Sequence, residues 1–414
     1  MKINVSFIIL KRILKIIVLI FLIGVPVYGL YFWYRIDKPR IIKEFQDPFL
    51  FNNGTRVVSD DDWFARREEI KQTLLNNEYG TIPKAPNKII PKLIETVEIG
   101  EAGTMKTIIL TLIPYNEKPS FIINLTLWLY IPEGTGPFPA IVKVSADGTG
   151  SQESMSSHIL NRGYVYACFN HTQLDPDTRG YDIDGPCQMA YPECTWGSIG
   201  VWAWGAMRVA DFLLGEYWVE SNIEIPYVNP KALIITGHSR RGKTALLAGA
   251  MDERFALVVP NGSGCGGAGS FLVQGYLCET ITDITAPENF RAWFKDDFNQ
   301  FADNEHLLPF DQHFLRALVA PRIILSTDAT EDFWANPVGT QAIYEATIPV
   351  FRFLGCEDFN AIHYRQGAHG FKYEDFIVLL DFADKMLLNK TVSGSNFYIT
   401  PYDITFPVPY EALV

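Results

Sequence analysis

The segment that most constrains the fold is residues 236–243, with the sequence TGHSRRGK. It follows the apolar run 232–235 and precedes an alanine- and leucine-rich run, a pattern that predicts a strand, a sharp turn and a helix. Gly237 and Gly242 flank Ser239, and glycine suits positions where the strand and helix backbones come close. The segment is therefore predicted to be a nucleophile elbow, which exposes a serine hydroxyl at the end of a strand. A structural serine in an ordinary strand-to-helix turn is the alternative that this segment alone leaves open.

Residues 1–40 are predicted to be a targeting segment. Four basic residues precede residues 16–34, and those nineteen positions carry no charge. This length suits a membrane-spanning helix of about 20 residues, with the aromatic residues 31–34 at the interface. No small-residue cleavage site stands here. We expect an uncleaved anchor that leaves the rest of the chain outside the cytoplasm, in the periplasm or at the cell surface; a cleaved signal on a secreted protein is the alternative.

Charge and cysteine content exclude two classes of site. The 414 residues carry a net charge of −12, which argues against nucleic acid as a partner because phosphate binding needs a basic stripe. The six cysteines form no C-x-x-C pairs with histidine partners, which argues against structural zinc. In an exported domain, Cys187 with Cys194 and Cys265 with Cys278 are candidate disulfides; buried free thiols are the equal alternative.

The elements are predicted to form an α/β domain over residues 101–414, preceded by an N-terminal extension, residues 41–100, packed on it. In the extension, an acid-capped helix would place Trp63 and Ile70 on one face. Two runs that alternate apolar and polar residues, 105–114 and 121–132, predict an antiparallel hairpin. Short apolar runs predict further strands, at residues 140–144, 164–169, 232–238, 255–260, 322–327 and 360–364. The apolar run at residues 196–214 predicts a buried helix. Strands alternating with helices favour a mostly parallel central sheet with helices on both faces. With antiparallel strands at its start, this is the pattern of the α/β-hydrolase fold.

A serine nucleophile needs a base, and in α/β-hydrolases the chain order is serine, acid, histidine. Four histidines follow Ser239. His369 lies in a small-residue loop just past the last predicted strand, where catalytic groups are found, and is the predicted base. His306 and His313 are predicted to lie on the surface, and His363 is predicted to pack inside the last strand.

The acid is expected after the strand predicted at residues 322–327. Asp328, Glu331 and Asp332 are the candidates there. Asp332 is preferred because it lies beside Trp334 and shortly before a proline that would stiffen the loop. Glu331 is the second choice.

Several motifs, in order along about residues 45–390, resemble the glucuronoyl esterases of carbohydrate esterase family 15, bacterial type. The segments are 196–205 (WGSIGVWAWG), 237–243 (GHSRRGK), 252–256 (DERFA), 263–267 (SGCGG), 331–337 (EDFWANP) and 367–369 (GAH). Arg241, where an elbow usually has its second glycine, fits that family. Many members carry the triad glutamate just before the SGxGG motif. Asn261 and Gly262 stand there instead, which shifts the acid role to Asp332.

The resemblance implies a role for each matched residue. Ser239 would be the nucleophile, His369 the base and Asp332 the acid. Arg240 would stabilise the oxyanion together with its own backbone N–H. Substrate binding is implied for three residues: Lys243 would face the pocket and bind sugar hydroxyls, Trp334 would pack on the sugar ring, and Glu279 would match a sugar-binding position. Without the resemblance, Lys243 would be interpreted as a solvated helix lysine and Trp334 as a core residue.

The function implied is hydrolysis of (4-O-methyl-)glucuronic acid esters on xylan, through an acyl-enzyme and without metal or organic cofactor. Glucuronoxylan and lignin–carbohydrate esters would be the substrates. An acetylxylan esterase, or another esterase for small acyl groups, is the first alternative; it would share the triad but have no use for Lys243 and Trp334 as sugar ligands. A non-catalytic carbohydrate-binding protein on a hydrolase scaffold is the second.

Overall fold

The computed structural model describes residues 38–115, 121–147, 153–216, 218–220, 223–406 and 408–411. The predicted anchor, residues 16–34, lies outside these ranges. Within them, no helix combines the length and the apolar character needed to cross a membrane.

A nine-stranded sheet organises the chain, in the order β11-β10-β8-β7-β5-β6-β4-β3-β2, and a two-stranded sheet pairs β1 with β9. The pairs among β2, β3, β4 and β6 are antiparallel, and the other five pairs of the large sheet are parallel. The strands are β1 (Arg40–Ile41), β2 (Lys88–Glu98), β3 (Gly103–Ile113), β4 (Ile123–Pro132), β5 (Phe138–Ser145), β6 (Val165–Asn170), β7 (Val228–His238), β8 (Phe255–Asn261), β9 (Val273–Gln274), β10 (Ile323–Ala329) and β11 (Asn360–Arg365). The predicted mostly parallel sheet with an antiparallel start is confirmed.

The sheet begins earlier than the boundary predicted at residue 100. The predicted hairpin is present as β3 and β4, but β2 pairs with β3 along nearly its whole length. Most side chains of β2 are exposed on both faces, because it is the edge strand. Its sequence therefore lacks the alternation of apolar and polar residues by which a half-buried strand is recognised.

Helices cover both faces of the sheet. They are α1 (Asp60–Leu74), α2 (Glu153–Asn161), α3 (Pro186–Ala190), α4 (Ser198–Leu214), α5 (Arg240–Met251), α6 (Ile281–Thr285), α7 (Gln312–Ala317), α8 (Pro337–Phe353) and α9 (Tyr373–Leu388). Side chains of α1, α4, α5, α7 and α8 pack into the larger core, on one face. Those of α2 and α9 pack into a second core on the other face. The buried helix predicted near residues 196–214 is α4, and sixteen of its residues are buried.

The N-terminal extension packs on the sheet domain through α1. Ser59 caps this helix by accepting a hydrogen bond from the Asp62 backbone N–H, and Trp63 and Ile70 are fully buried, as predicted. On the same helix, Arg67 donates to the carbonyl of Leu318 at 2.7 Å. This bond joins residues 251 positions apart in the chain, so it ties the extension to the domain.

The structure tests the expectations about three histidines and the cysteines. His313, predicted to lie on the surface, is fully buried in α7, and its Nε2 contacts the Gln46 carbonyl oxygen at 2.8 Å. Burial lowers its pKa to about 4. The prediction failed because the extension, not local polarity, covers α7. His363 is buried in β11, as predicted, and His306 is exposed. All six cysteines are free thiols, so neither candidate disulfide is present.

Candidate active site

Ser239 occupies the turn between β7 and α5, at φ 60° and ψ −128°. A non-glycine residue at positive φ costs about 1–3 kcal/mol and persists where the surrounding structure enforces it. Its backbone N–H donates to the carbonyl of Asn261 on β8 at 2.9 Å, and its carbonyl oxygen accepts from Gly242 N–H at 2.7 Å. The predicted strand–turn–helix is therefore present, with the strained serine geometry of a nucleophile elbow.

Close backbone contacts explain both glycines of the elbow. A Cβ on Gly237 would lie 2.2 Å from the carbonyl oxygen of Arg241, and one on Gly242 would lie 2.9 Å from that of Asn261. Both distances are too short for a side chain at its ordinary position. The second close approach falls at residue 242, which leaves position 241 free to carry an arginine.

Asp332 and His369 come together beside the elbow. Asp332 Oδ2 lies 2.5 Å from His369 Nδ1. Asp332 follows β10 and His369 follows β11, which are parallel neighbours, so both loops leave the same edge of the sheet. The Asp332 side chain is 3% exposed and that of His369 is 39% exposed, whereas Glu331 points to solvent. A carboxylate at Nδ1 holds the proton there and leaves Nε2 as an acceptor facing outward.

Gly262, which stands where many family members carry an acid, faces the same carboxylate. A Cβ on Gly262 would lie 3.4 Å from Asp332 Oδ2, and the residue has φ 47°. A carboxylate reaching from position 262 and one reaching from position 332 would therefore compete for the same space. The two acid positions are alternatives, since only one fits beside the imidazole.

His238 lies under the imidazole of His369. The two ring centroids are 4.3 Å apart, and His238 Nδ1 contacts Asn261 Oδ1 at 2.7 Å. Asn261 in turn donates to Thr327 Oγ1 at 2.9 Å. Burial, and then the neighbouring His369, lower the pKa of His238 to about 4, so it packs as a neutral ring at neutral pH. Sequence reasoning missed this residue, although its place directly before the serine was a usable signal.

Arg240 is held at the mouth of the site. Its guanidinium donates to Asp177 Oδ1 at 2.9 Å and lies over the rings of Phe290 and Trp293, 4.6 and 4.7 Å from their centroids. Burial alone would raise the pKa of Asp177, but a hydrogen bond from His171 and the charge of Arg240 lower it to about 2. Asp177 thus stays ionised and fixes Arg240. None of these partners was predicted, because they come from distant parts of the chain.

Lys243 was expected to face the pocket and bind sugar hydroxyls, but its ammonium group is bound by acceptors of the protein. Its Nζ donates to the carbonyls of Ser263 and Cys265 at 2.7 and 2.6 Å, and to Glu279 Oε1 at 2.5 Å. Its side chain is only 2% exposed. An ammonium group has three N–H donors, and these contacts use all three. Burial raises the pKa of Glu279, and the adjacent Lys243 opposes that rise.

Trp334 lies on the surface beside this ion pair. Its side chain is 49% exposed, so it is not a core tryptophan. Its carbonyl accepts from the backbone N–H of Glu279 at 3.0 Å, which joins the two loops. An exposed indole next to a buried carboxylate offers an apolar face and a hydrogen-bond acceptor in one place.

Comparison with known proteins identifies relatives along most of the chain. The family model described as glucuronyl esterase, fungi, matches residues 116–355. A 4-O-methyl-glucuronoyl methylesterase of Podospora anserina is 30% identical over 330 residues, which cover 77% of this chain and 62% of that protein. A carbohydrate esterase, MZ0003, from an unknown prokaryotic organism is 30% identical over 395 residues, 82% of this chain and 88% of that protein.

Solved structures with the same fold include family members from bacteria and fungi. A family 15 glucuronoyl esterase from Caldicellulosiruptor kristjansonii has a TM-score of 0.70 at 32% identity, and the match covers 89% of this chain and 98% of that one. The glucuronoyl esterase catalytic domain from Hypocrea jecorina has a TM-score of 0.67 at 25% identity, over 90% and 98% of the two chains. The chain described here thus has the α/β-hydrolase fold, and it belongs to the glucuronoyl esterase family, carbohydrate esterase family 15.

Proposed function

We propose that this chain hydrolyses esters of glucuronic acid or 4-O-methylglucuronic acid, with Ser239 as nucleophile, His369 as base and Asp332 as the orienting acid. The observation that carries the proposal is the 2.5 Å contact between Asp332 Oδ2 and His369 Nδ1, next to the strained turn that presents Ser239. The similarity of the chain to 4-O-methyl-glucuronoyl methylesterases supports the ester class.

The reaction has two halves. Ser239 Oγ attacks the carboxyl carbon of the uronate ester while His369 Nε2 takes the hydroxyl proton. When the tetrahedral adduct collapses, the C–O bond to the alcohol breaks and His369 returns the proton to the leaving oxygen. Water, deprotonated by the same imidazole, then attacks the acyl-enzyme and releases the uronic acid. Asp332 keeps the proton on Nδ1 and stabilises the imidazolium formed in each half.

Arg240 supplies the positive charge at the developing oxyanion. It is the first residue of α5, so its backbone N–H has no partner within the helix, and the N-terminal end of a helix favours negative charge. Its guanidinium is held near the elbow by Asp177 and by two aromatic rings. A donor fixed before the reaction needs no reorganisation when the charge forms.

Trp334 and Glu279 bind the sugar of the uronate. The exposed indole packs on the sugar ring, and Glu279, whose Oε1 is bound by Lys243, accepts hydrogen bonds from ring hydroxyls through its carboxylate. Lys243 acts mainly through Glu279, because its three N–H donors are already in use. The ion pair keeps the carboxylate charged and oriented in a site where burial favours its neutral form.

The enzyme is proposed to work outside the cytoplasm, held by an uncleaved helix at residues 16–34. An uncharged run of that length after four basic residues supports this placement. Recovery of the full-length protein from the membrane fraction after alkaline carbonate washing tests it. A native N-terminus beyond Tyr34 would show cleavage and contradict it.

The experiment that tests the proposed reaction compares two substrates. Purified enzyme lacking residues 1–37 should turn over benzyl glucuronate with a much higher kcat/KM than 4-nitrophenyl acetate. The acetyl group is too small to reach Trp334 or Glu279, so it gains nothing from them. Turnover of the acetate with none of the glucuronate would instead favour an esterase for small acyl groups.

A further inference from the structure

A cavity of about 500 Å³ opens beside the elbow, on the side away from Trp334 and Glu279. It lies between the end of β5, the elbow, and the segment leading into α9. Its charged lining consists of Lys143, Arg241, Lys372 and Asp147, and His238 and Tyr373 add titratable groups. Three cationic side chains against one carboxylate make this an electropositive space.

Arg241 is the member of this group with a buried donor that lacks a partner. Its Nε is buried without a hydrogen bond, and its guanidinium forms no ion pair or hydrogen bond with any residue in the described parts of the chain. Burial lowers its pKa. The contrast with the preceding residue is sharp, because Arg240 has both a carboxylate and two aromatic rings. A guanidinium left unpaired at a partly buried position is costly unless a ligand supplies the acceptors.

The rest of the lining suits an aromatic anion. Lys143 is buried, with Nζ 5.6 and 5.4 Å from the ring centroids of Phe371 and Phe376. Met155 adds a further apolar surface, and Lys372 is exposed at the rim. His238 is neutral because burial and His369 lower its pKa. Burial lowers the pKa of Lys143, so the apolar walls are combined chiefly with the positive charge of Arg241 and Lys372, in a volume typical of small-molecule sites.

The sheet order says which half of an ester would reach this cavity. β8 and β10 lie on one side of β7, and β5 lies on the other. The sugar ligands of the proposed function, Trp334 and Glu279, belong to the β8 and β10 side. An ester with its carbonyl at Ser239 and its uronate on that side must extend its alcohol over β5, where the cavity opens.

We propose that this cavity is a subsite for the alcohol half of the ester, and that Arg241 binds a carboxylate carried by an aromatic alcohol. The inference rests on the proposed function, which sets the direction of the ester across Ser239. A guanidinium can hold a carboxylate through two parallel N–H···O bonds, which makes the planar group of an aromatic acid its best match. Lys372 adds charge at the rim, and Asp147 disfavours anions that would enter from its side.

The test compares glucuronate esters that differ only in one charge on the alcohol. The benzyl ester is measured against the 3- and 4-carboxybenzyl esters at low ionic strength. The parent enzyme should prefer one carboxybenzyl ester over the benzyl ester by about tenfold or more in kcat/KM, since hydrogen bonds between charged groups are the strong ones. In Arg241→Leu the ratio should fall to about one, and Arg241→Lys should retain part of it because a point charge replaces the two-bond geometry.

Two further variants, one at the rim of the cavity and one far from it, make the result decisive. Lys372→Gln should lower the ratio moderately, whereas Lys92→Gln, at an exposed cation on β2, should leave it unchanged. If Arg241→Leu does not fold, Lys372→Gln decides in its place. A parent ratio near one, or a ratio retained in Arg241→Leu, overturns the proposal.

A binding measurement distinguishes failure of the proposed function from failure of the proposed subsite. If the parent enzyme turns over neither ester, the subsite is tested by calorimetric binding of 4-(hydroxymethyl)benzoate. Binding to the parent and loss of binding in Arg241→Leu would then support the anion site without the esterase reaction. Equal binding to both proteins, or no binding to the parent, would count against it.

Discussion

Lys243 and Arg241, two cationic residues on the first turn of α5, lie on opposite sides of Ser239 and differ in the acceptors that the protein provides for them. Lys243, on the β8 side, has three acceptors supplied by the protein, and its ion pair with Glu279 is buried. Arg241, facing the β5 side, has none among the described residues. Under the proposed function and subsite, the sugar side is organised before substrate arrives, whereas the alcohol side is completed only by a ligand. Changes at the two positions should therefore affect folding and catalysis in different proportions.

The largest effect is expected from the residue that lies between the two sides. Ser239→Ala should lower kcat on every ester by about a millionfold, the scale of a triad serine loss. Because the change removes only the hydroxyl and keeps the Cβ at the same positive φ, unfolding in urea should be little affected. Activity within tenfold of the parent would remove Ser239 from the mechanism and leave the two sides without a common reaction centre.

The next largest effect should distinguish the neighbouring carboxylates of Asp332 and Glu331. Asp332→Asn should lower kcat about ten-thousandfold, since an amide can favour the wrong imidazole tautomer. Glu331→Gln is the matched control, because its side chain points to solvent one residue away, and it should stay within about threefold of the parent. A larger loss in Glu331→Gln than in Asp332→Asn would overturn the assignment of the acid.

The contrast between Lys243 and Arg241 is tested most directly by the free energy of unfolding of variants at these two positions. Lys243→Met leaves the Glu279 carboxylate buried without its partner and should lower the free energy of unfolding by about 3–5 kcal/mol. Arg241→Leu removes an unpaired guanidinium and should be neutral or stabilising. Urea unfolding of both variants measures the contrast. Equal losses would mean that Arg241 has a structural partner.

The loss in Lys243→Met should depend on pH. In the variant, burial raises the pKa of Glu279 without the opposing charge of Lys243, so the folded state holds a proton that the unfolded state releases. Stability of the variant should then fall as pH rises above about 4, the ordinary range of a glutamate, and the deficit should be smaller near pH 4 than near pH 7. A deficit independent of pH would indicate lost packing rather than a buried, unpaired carboxylate.

The smallest effect concerns the sugar side alone. Trp334→Ala should lower kcat/KM on benzyl glucuronate about tenfold to a hundredfold, the scale of one stacking contact, and should change 4-nitrophenyl acetate hydrolysis little. The side chain is half exposed, so the fold should tolerate the change. Equal effects on both substrates would remove Trp334 from sugar binding.

The sequence predicted the parts of the site that are encoded locally. The elbow, the parallel strands and the loops that carry Asp332 and His369 each follow from a short pattern. The setting of Arg240 could not be predicted, because Asp177 lies 63 residues away and nothing near it in sequence marks it as a partner. The three acceptors of Lys243 were missed for a similar reason, since the chain folds back from residues 263–279 to surround its ammonium group. β2 was missed because an exposed edge strand needs no apolar alternation.

The hydrogen-bond ladder between β10 and β11 continues past the ends of both strands. Thr330 N–H donates to the Arg365 carbonyl at 3.0 Å, and Glu331 N–H donates to that of Gly367 at 3.1 Å. Main-chain bonds, rather than side chains, thus set the spacing between the loop of the acid and the loop of the base, and the two loops should move as one body. Ser239 directly follows β7, and β8 lies between β7 and β10, so thermal loosening between these strands would move an intact Asp332–His369 pair away from the serine hydroxyl. We therefore expect catalytic activity to be lost on heating at a lower temperature than that at which the protein unfolds.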